Sequence, residues 1–203
     1  MNPDQRESSR RPLVLVGDSH LARFDIGRVA ELERALGGRV VVHNHAIGGA
    51  NSADLVERAP LEAACERALF VVSVGINDLA LWKRIPLAQF AANAAALLDC
   101  LGGRRSIMVL PPPVDEARQG RLRGDQGRTN IQAAEYGRSL AAVSRAAGAL
   151  VVDVTAALAD KGDVHEPDGV HLNAEGYVVL IRGIIAAVAH SIGVGAPTTH
   201  SDG

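Results

Sequence analysis

The fold is decided near the N-terminus by the stretch Leu13-Val14-Leu15-Val16-Gly17-Asp18-Ser19-His20. Four consecutive aliphatic residues closed by Gly-Asp-Ser are typical of a buried parallel strand that ends at the carboxyl edge of a sheet. Open α/β folds build their functional sites at that edge. Ser19 is therefore a candidate nucleophile, although Gly, Asp and Ser also form ordinary strand-to-helix turns in which Asp or Ser caps the helix.

Short β-rich segments alternate with longer segments rich in Ala, Leu and Arg along the rest of the chain. This alternation predicts an α/β fold, a three-layer αβα sandwich around a five-stranded parallel sheet. The predicted strands are 12–16, 39–44, 69–74, 106–110 and 150–154. The predicted helices are 21–36, 52–67, 86–101, 128–147 and 173–190.

The 203 residues fit one domain, which we expect over 12–190. Residues 1–11 are polar and residues 191–203 are rich in Gly, Ser and Thr, so both are predicted to be disordered tails. The connection 111–128 begins with three prolines and carries arginines that nearby acidic residues almost balance. We interpret it as a solvated loop, with the alternative that it closes over a site at the fourth strand.

Composition excludes several classes of function. A net charge of −2 and only three Phe, two Tyr and one Trp argue against a nucleic-acid partner. Cys65 and Cys100 are too few for a disulfide framework and favour a reducing compartment. The N-terminus has no apolar core, and the apolar stretch 178–188 is interrupted by Arg182 and too short to span a bilayer. We therefore expect a cytoplasmic protein with no membrane partner, whose oligomeric state the sequence does not reveal.

Polar residues also follow three other predicted strands. The second strand leads into His45-Ala46-Ile47-Gly48-Gly49-Ala50-Asn51, the third into Gly75-Ile76-Asn77-Asp78, and the fifth precedes Asp168-Gly169-Val170-His171. In a doubly wound parallel sheet these segments open on one edge, so they are expected to converge on Ser19.

The converging residues suit acyl transfer by a serine. His171 would accept the hydroxyl proton of Ser19, and Asp168, three residues earlier, can reach the imidazole Nδ1 and orient the ring. The oxyanion of the tetrahedral intermediate needs preorganised donors. The backbone N–H groups of Ser19 and Gly49 and the side-chain amide of Asn77 are candidates, since glycine allows close approach and an amide adds no charge.

Together, these segments resemble the sequence blocks of the SGNH hydrolases, also called the GDSL family of esterases and lipases. The matching blocks are Gly17-Asp18-Ser19, Ala46-Ile47-Gly48-Gly49, Gly75-Ile76-Asn77-Asp78 and Asp168-Gly169-Val170-His171, in family order between about residues 12 and 190. The resemblance implies a flavodoxin-like sandwich with Ser19 as nucleophile, His171 as base and Asp168 as its orienting carboxylate. It also implies that Gly49 and Asn77 complete the oxyanion hole and that no metal or organic cofactor is used.

The chain departs from the family pattern at His20, where the family has Leu, and at Leu172, where many members have Pro. His20 either packs under the first helix or faces the pocket, and with Asp18 and Asp78 it is a candidate substrate contact. Trp82 is either a pocket wall or a core anchor.

Two other types of site remain open on the residues alone. A metal site could use four residues within a short segment: Asp163, His165, Asp168 and His171. Alternatively, the glycine-rich turn after the second strand could cradle a phosphate.

The function that we expect is hydrolysis of carboxylic esters, with short acyl groups such as acetate, through an acyl-enzyme on Ser19. The partner is then a small-molecule ester. One alternative is an acyltransferase that passes the same acyl group to an alcohol or amine in a biosynthetic pathway. The other is a non-catalytic binding module on the same fold.

Overall fold

The computed structural model of the protein describes residues 10–63, 67–124 and 127–193. Most of both predicted tails, residues 1–9 and 194–203, and Cys65 lie outside the described residues. Residue 10 leads directly into the first strand, which begins at residue 11, and the last helix ends at residue 191, followed by 192 and 193.

Five parallel strands form one sheet in the order β2-β1-β3-β4-β5. They are β1 (Arg11–Gly17), β2 (Val40–Asn44), β3 (Leu69–Ser73), β4 (Ser106–Val109) and β5 (Leu150–Val152). In the register of the sheet, Leu13 of β1 is paired with Val42 on one side and Leu69 on the other. The predicted α/β fold is confirmed, and this strand order is that of flavodoxin-like proteins.

Eight α-helices are assigned within the described residues. They are α1 (Ser19–Ala22), α2 (Ile26–Ala35), α3 (Ser52–Ala63), α4 (Leu87–Leu101), α5 (Glu116–Arg123), α6 (Asn130–Ala146), α7 (Thr155–Ala159) and α8 (Ala174–Ser191). The single helix predicted over 21–36 is two helices, because Asp25 accepts a hydrogen bond from the Arg28 N–H at 2.9 Å and caps a new start.

The sheet is buried on both faces, which explains why its strands are almost continuously aliphatic. On one face, Val14, Phe70 and Met108 pack with residues of α3, α4 and α6. On the other, Leu15 and Ile107 pack with residues of α2, α7 and α8. Because helices cover both faces, polar side chains can come together only where the strands end.

Helix α8 is the one helix of the described residues that is long and apolar enough to cross a membrane. Half of it is buried within the protein, and Leu180, Ile184 and Val188 are fully inaccessible in the core. Packing against the sheet therefore accounts for its apolar character.

The interpretation of 111–128 as a solvated loop is wrong. The segment contains helix α5, capped by Asp115, whose carboxylate accepts a hydrogen bond from the Arg118 N–H at 2.9 Å. Gln119 and Arg128 are only 3% and 8% exposed. The charged composition concealed this packing because these two side chains are buried through hydrogen bonds rather than through apolar contacts.

Candidate active site

Ser19 lies at the carboxyl end of β1, next to β3, where the strand order reverses and ligands bind in doubly wound sheets. The chain reaches this position through Gly17, whose φ of +139° brings its backbone against Ser73. A Cβ on Gly17 would lie 2.1 Å from the Ser73 carbonyl oxygen. Glycine is thus required for the turn that presents Ser19 at the start of α1.

Three side chains from distant parts of the chain form a continuous hydrogen-bonded series. The Ser19 Oγ lies 2.8 Å from His171 Nε2, and His171 Nδ1 lies 2.5 Å from an Asp168 carboxylate oxygen. The other Asp168 oxygen accepts the backbone N–H groups of Val170 and His171 at 2.9 and 3.0 Å. Because Nδ1 faces a carboxylate, it carries the ring proton. Nε2 is then free to accept a hydrogen bond from the Ser19 hydroxyl.

The pKa values of the pair favour this protonation state. Burial opposes ionisation of Asp168, but the hydrogen bonds from His171 and from the backbone outweigh it and lower the pKa of Asp168 to about 2. Burial lowers the pKa of His171 below its ordinary 6.5, against the opposing effect of Asp168. At neutral pH the site therefore holds an ionised carboxylate beside a neutral imidazole, as a general base requires.

The two predicted donor segments meet beside Ser19. A Cβ on Gly48 would lie 4.0 Å from the Ser19 Cβ, which places the turn after β2 next to the hydroxyl. The Asn77 side-chain amide donates to the Ala50 carbonyl at 2.9 Å and so joins the segment after β3 to this turn. Asn77 and Ser19 line the same pocket. Among the described residues, the second amide hydrogen of Asn77 has no acceptor.

The suggestion that Asp18, His20 and Asp78 contact substrate is not supported, because all three are at most 1% exposed. Asp18 accepts hydrogen bonds from the His20 N–H at 2.9 Å and the Ser73 hydroxyl at 2.7 Å. Burial opposes ionisation of Asp18, yet its interactions with His20 and Ser73 hold its pKa below the usual range. These hydrogen bonds therefore fix the position of Asp18, directly before Ser19.

His20 and Asp78 instead support the segments around the site. The His20 Nε2 lies 3.3 Å from the Val170 carbonyl, directly before His171, and the two imidazole rings are 6.0 Å apart. The Asp78 carboxylate accepts the Ser52 N–H at 3.0 Å, at the start of α3. Burial raises the pKa of Asp78. Of the two readings of His20, packing under the first helix is the one that the structure shows.

Sequence reasoning missed a connection between α5 and both halves of the site. The Gln119 amide donates to the Asp168 carbonyl at 2.5 Å, and its oxygen accepts the Arg128 N–H at 3.3 Å. The Arg128 guanidinium donates to the Ile76 carbonyl at 2.8 Å and to the Asn77 side-chain oxygen at 3.3 Å. Gln119 and Arg128 thus link the segment of Asp168 to that of Asn77. Apart from the arginine-rich composition, nothing in the sequence pointed to these two residues.

The alternative metal site is not formed. Asp163 is paired with Arg118, and His165 Nε2 lies 2.8 Å from the Pro113 carbonyl. Across the described ranges, no three His, Cys, Asp or Glu side chains are placed together to hold a metal ion. The same Arg118 donates to the His165 carbonyl at 2.8 Å, so its role is to fasten the segment before Asp168 to α5.

A pocket of about 270 Å³ opens in front of Ser19 and His171. Its remaining wall comes from the segments after β3, around α5 and before α8: Asn77, Trp82, Gln119, Leu122, Arg123, Arg128, Asp168 and Val170. Trp82 is 46% exposed and is a pocket wall rather than a core anchor. The arrangement places a serine hydroxyl, an imidazole and side-chain N–H donors around a small cavity.

Comparison with known proteins agrees with the fold. A family model described as GDSL-like lipase/acylhydrolase matches residues 15–179. The crystal structure of a lipase/acylhydrolase from Enterococcus faecalis is 23% identical with a TM-score of 0.78, covering 92% of this chain and 98% of that one. A GDSL-like lipase from Bacteroides thetaiotaomicron is 16% identical with a TM-score of 0.67, over 95% and 90% of the two chains.

A structure named TesA is 20% identical with a TM-score of 0.69, over 89% of this chain and 99% of that one. The chain has no significant match among curated proteins. The family model extends from the strand that precedes Ser19, through the segment of His171, into the last helix. This protein therefore belongs to the GDSL-like lipase/acylhydrolase family, the SGNH hydrolases.

Proposed function

We propose that this chain is a serine esterase that hydrolyses small carboxylic esters through an acyl-enzyme on Ser19. The observation that carries the proposal is the unbroken contact from the Ser19 Oγ to His171 Nε2 at 2.8 Å and from His171 Nδ1 to Asp168 at 2.5 Å. The first distance is within the range in which a base can take the proton of a nucleophile, and the second contact orients that base.

In the acylation step, the Ser19 Oγ forms a bond to the ester carbonyl carbon while its proton passes to His171 Nε2. The carbonyl oxygen becomes an oxyanion, which the backbone N–H groups of Ser19 and Gly49 and the Asn77 amide would stabilise. The intermediate then collapses as the ester carbon–oxygen bond breaks. The His171 proton goes to the departing alkoxide, and the acyl group stays on Ser19.

Deacylation repeats the sequence with water as the nucleophile. His171 takes a proton from the water as its oxygen bonds to the acyl carbon, and returns that proton to the Ser19 Oγ when the acyl–serine bond breaks. Asp168 stays ionised throughout, consistent with its lowered pKa, and stabilises the imidazolium that forms twice in each cycle.

The size of the pocket favours small substrates. Its volume of about 270 Å³ lies just below the roughly 300–1,000 Å³ of pockets that hold drug-sized ligands. A long acyl chain would extend beyond these walls, whereas an acetyl or similarly short group would be enclosed.

The proposal is tested with p-nitrophenyl acetate and three proteins: the wild type, Ser19→Ala and Ser139→Ala. Ser139 lies on α6, outside the residues that line the pocket, and provides a matched serine control. Release of nitrophenolate should be lost in Ser19→Ala and retained in Ser139→Ala. Equal turnover by wild type and Ser19→Ala would refute the proposal, and turnover that requires an added alcohol or amine would indicate an acyltransferase.

A further inference from the structure

The lining of the pocket includes two guanidinium groups around one indole. The Arg123 Cζ lies 4.6 Å from the centre of the Trp82 ring, and the Arg128 Cζ lies 5.1 Å from it. Each distance is within that of a cation–π contact, which holds a planar guanidinium against an aromatic face. All three side chains line the pocket that contains Ser19 and His171.

These two positive charges form no ion pair within the part of the chain that the structure describes. Within residues 10–63, 67–124 and 127–193, neither Arg123 nor Arg128 has a carboxylate within ion-pair distance. Among the described residues, the acceptors of the Arg128 guanidinium are neutral: the Ile76 carbonyl and the Asn77 side-chain oxygen. Among the described residues, Asp168 is the one acidic residue that lines the pocket; it is hydrogen-bonded to His171 and attracts Arg128 from beyond ion-pair distance.

Burial makes the charge on Arg128 costly. The residue is 8% exposed, and burial and then the neighbouring charge of Arg123 lower its pKa, against the smaller opposing effects of Asp168 and Asp18. A guanidinium that is buried beside a like charge gains more from an anion than an exposed one does, because less water screens the interaction. The nearby carboxylates do not fully offset these two effects on Arg128, so an anion in direct contact with its guanidinium would be stabilised in this pocket.

We infer that the site selects esters that carry a carboxylate in the acyl or the alcohol part, and that Arg123 and Arg128 bind this group against Trp82. The inference rests on the proposed esterase function and specifies its substrate class. The planar fork of a guanidinium matches a carboxylate, and the small pocket would place that group close to the ester.

The experiment compares two pairs of esters that differ in one charge. p-Nitrophenyl hydrogen succinate and p-nitrophenyl butyrate have acyl groups of equal length, with and without a carboxylate. 4-Acetoxybenzoate and phenyl acetate test the alcohol part in the same way. The measured quantity is the ratio of kcat/KM for the anionic ester to that for the neutral ester, compared between proteins so that the intrinsic reactivities cancel.

Two variants separate this pocket from general surface charge. Arg123→Gln should lower the ratio for at least one pair by about tenfold or more, the effect expected from losing one charged hydrogen bond. Arg121→Gln removes the same charge from an exposed residue of the same helix that does not line the pocket, and should leave the ratio unchanged. The wild-type ratio should also fall as salt is added.

The outcomes distinguish the two levels of the argument. If both kinds of ester are hydrolysed but Arg123→Gln leaves the anionic-to-neutral ratio of kcat/KM unchanged, the proposed carboxylate preference is wrong. The proposed esterase function then stands. An equal fall in Arg121→Gln would also overturn the inference, because the effect would then be one of overall charge. If no ester is hydrolysed and Ser19 does not react with a fluorophosphonate, the proposed function itself fails.

Discussion

Replacing Gln119 by Ala removes the amide that joins helix α5 to the segment of Asp168 and His171. Gln119 is 3% exposed, donates to the Asp168 carbonyl at 2.5 Å and accepts the Arg128 N–H at 3.3 Å. The variant leaves a part-buried carbonyl and a buried N–H without these partners. It therefore tests whether the segment 111–128 positions the active site.

The expected cost follows from those two bonds. A buried polar group left unpaired costs about 1–3 kcal/mol, and the longer bond to Arg128 lies at the low end, so Gln119→Ala should lower the free energy of unfolding by ~2–3 kcal/mol. For a protein of this size, that corresponds to a fall of roughly 5–10 °C in Tm. A displaced catalytic group can cost on the order of 100-fold in rate, so kcat/KM should fall by about 10- to 100-fold.

Thermal unfolding and p-nitrophenyl acetate hydrolysis at 25 °C, where the variant is still folded, measure the two effects separately. Gln89→Ala is the matched control, because Gln89 is exposed on α4 and bonds only with Asn93 one turn away. Its stability should change by no more than about 0.5 kcal/mol. If Gln119→Ala keeps wild-type kcat/KM, helix α5 does not position the catalytic segment and this reasoning is refuted.

Three further predictions concern the triad and the turn before it. The acid limb of the kcat/KM profile should have its midpoint below pH 6.5, because His171 must be neutral to act and burial lowers its pKa; a midpoint above 6.5 would contradict this. Asp168→Asn should reduce kcat by about 10⁴-fold with the fold retained, since the imidazole tautomer is no longer fixed; near-normal turnover would exclude the orienting role. Gly17→Ala should destabilise the protein by at least ~2 kcal/mol more than Gly37→Ala. Both glycines have positive φ, but only a Cβ at position 17 would clash with backbone atoms, those of Ser73. Equal unfolding midpoints would disprove this argument.

The sheet could be predicted from the sequence because its strands are buried on both faces and so consist of uninterrupted aliphatic runs. The stretch before Ser19 shows this most clearly, and β1 is paired on both sides with parallel strands. The convergence of Ser19, Asn77 and the segment of His171 follows from topology alone, since parallel strands end at one edge. Aliphatic runs and parallel topology were therefore enough to predict the sheet and the convergence of these residues.

The segment around α5 could not be predicted, because its burial depends on side-chain hydrogen bonds to distant backbone. Gln119 and Arg128 are polar residues in a charged, glycine-containing segment, and their partners Asp168 and Ile76 are about 50 residues away. Nothing in their neighbourhood signals these contacts. Asp18 and Asp78 were misjudged for a related reason: they are adjacent to site residues in sequence, but their side chains turn into the protein to cap the backbone of His20 and Ser52.

The most direct test of the account is to identify the residue that carries the acyl group. The wild-type protein is mixed with p-nitrophenyl acetate, quenched in acid within the first turnover, digested and analysed by mass spectrometry, with Ser19→Ala treated in parallel. The account predicts one added acetyl group on the peptide that contains Ser19 and none on the variant. Acetylation of another residue, with Ser19 unmodified while nitrophenolate is released, would contradict it.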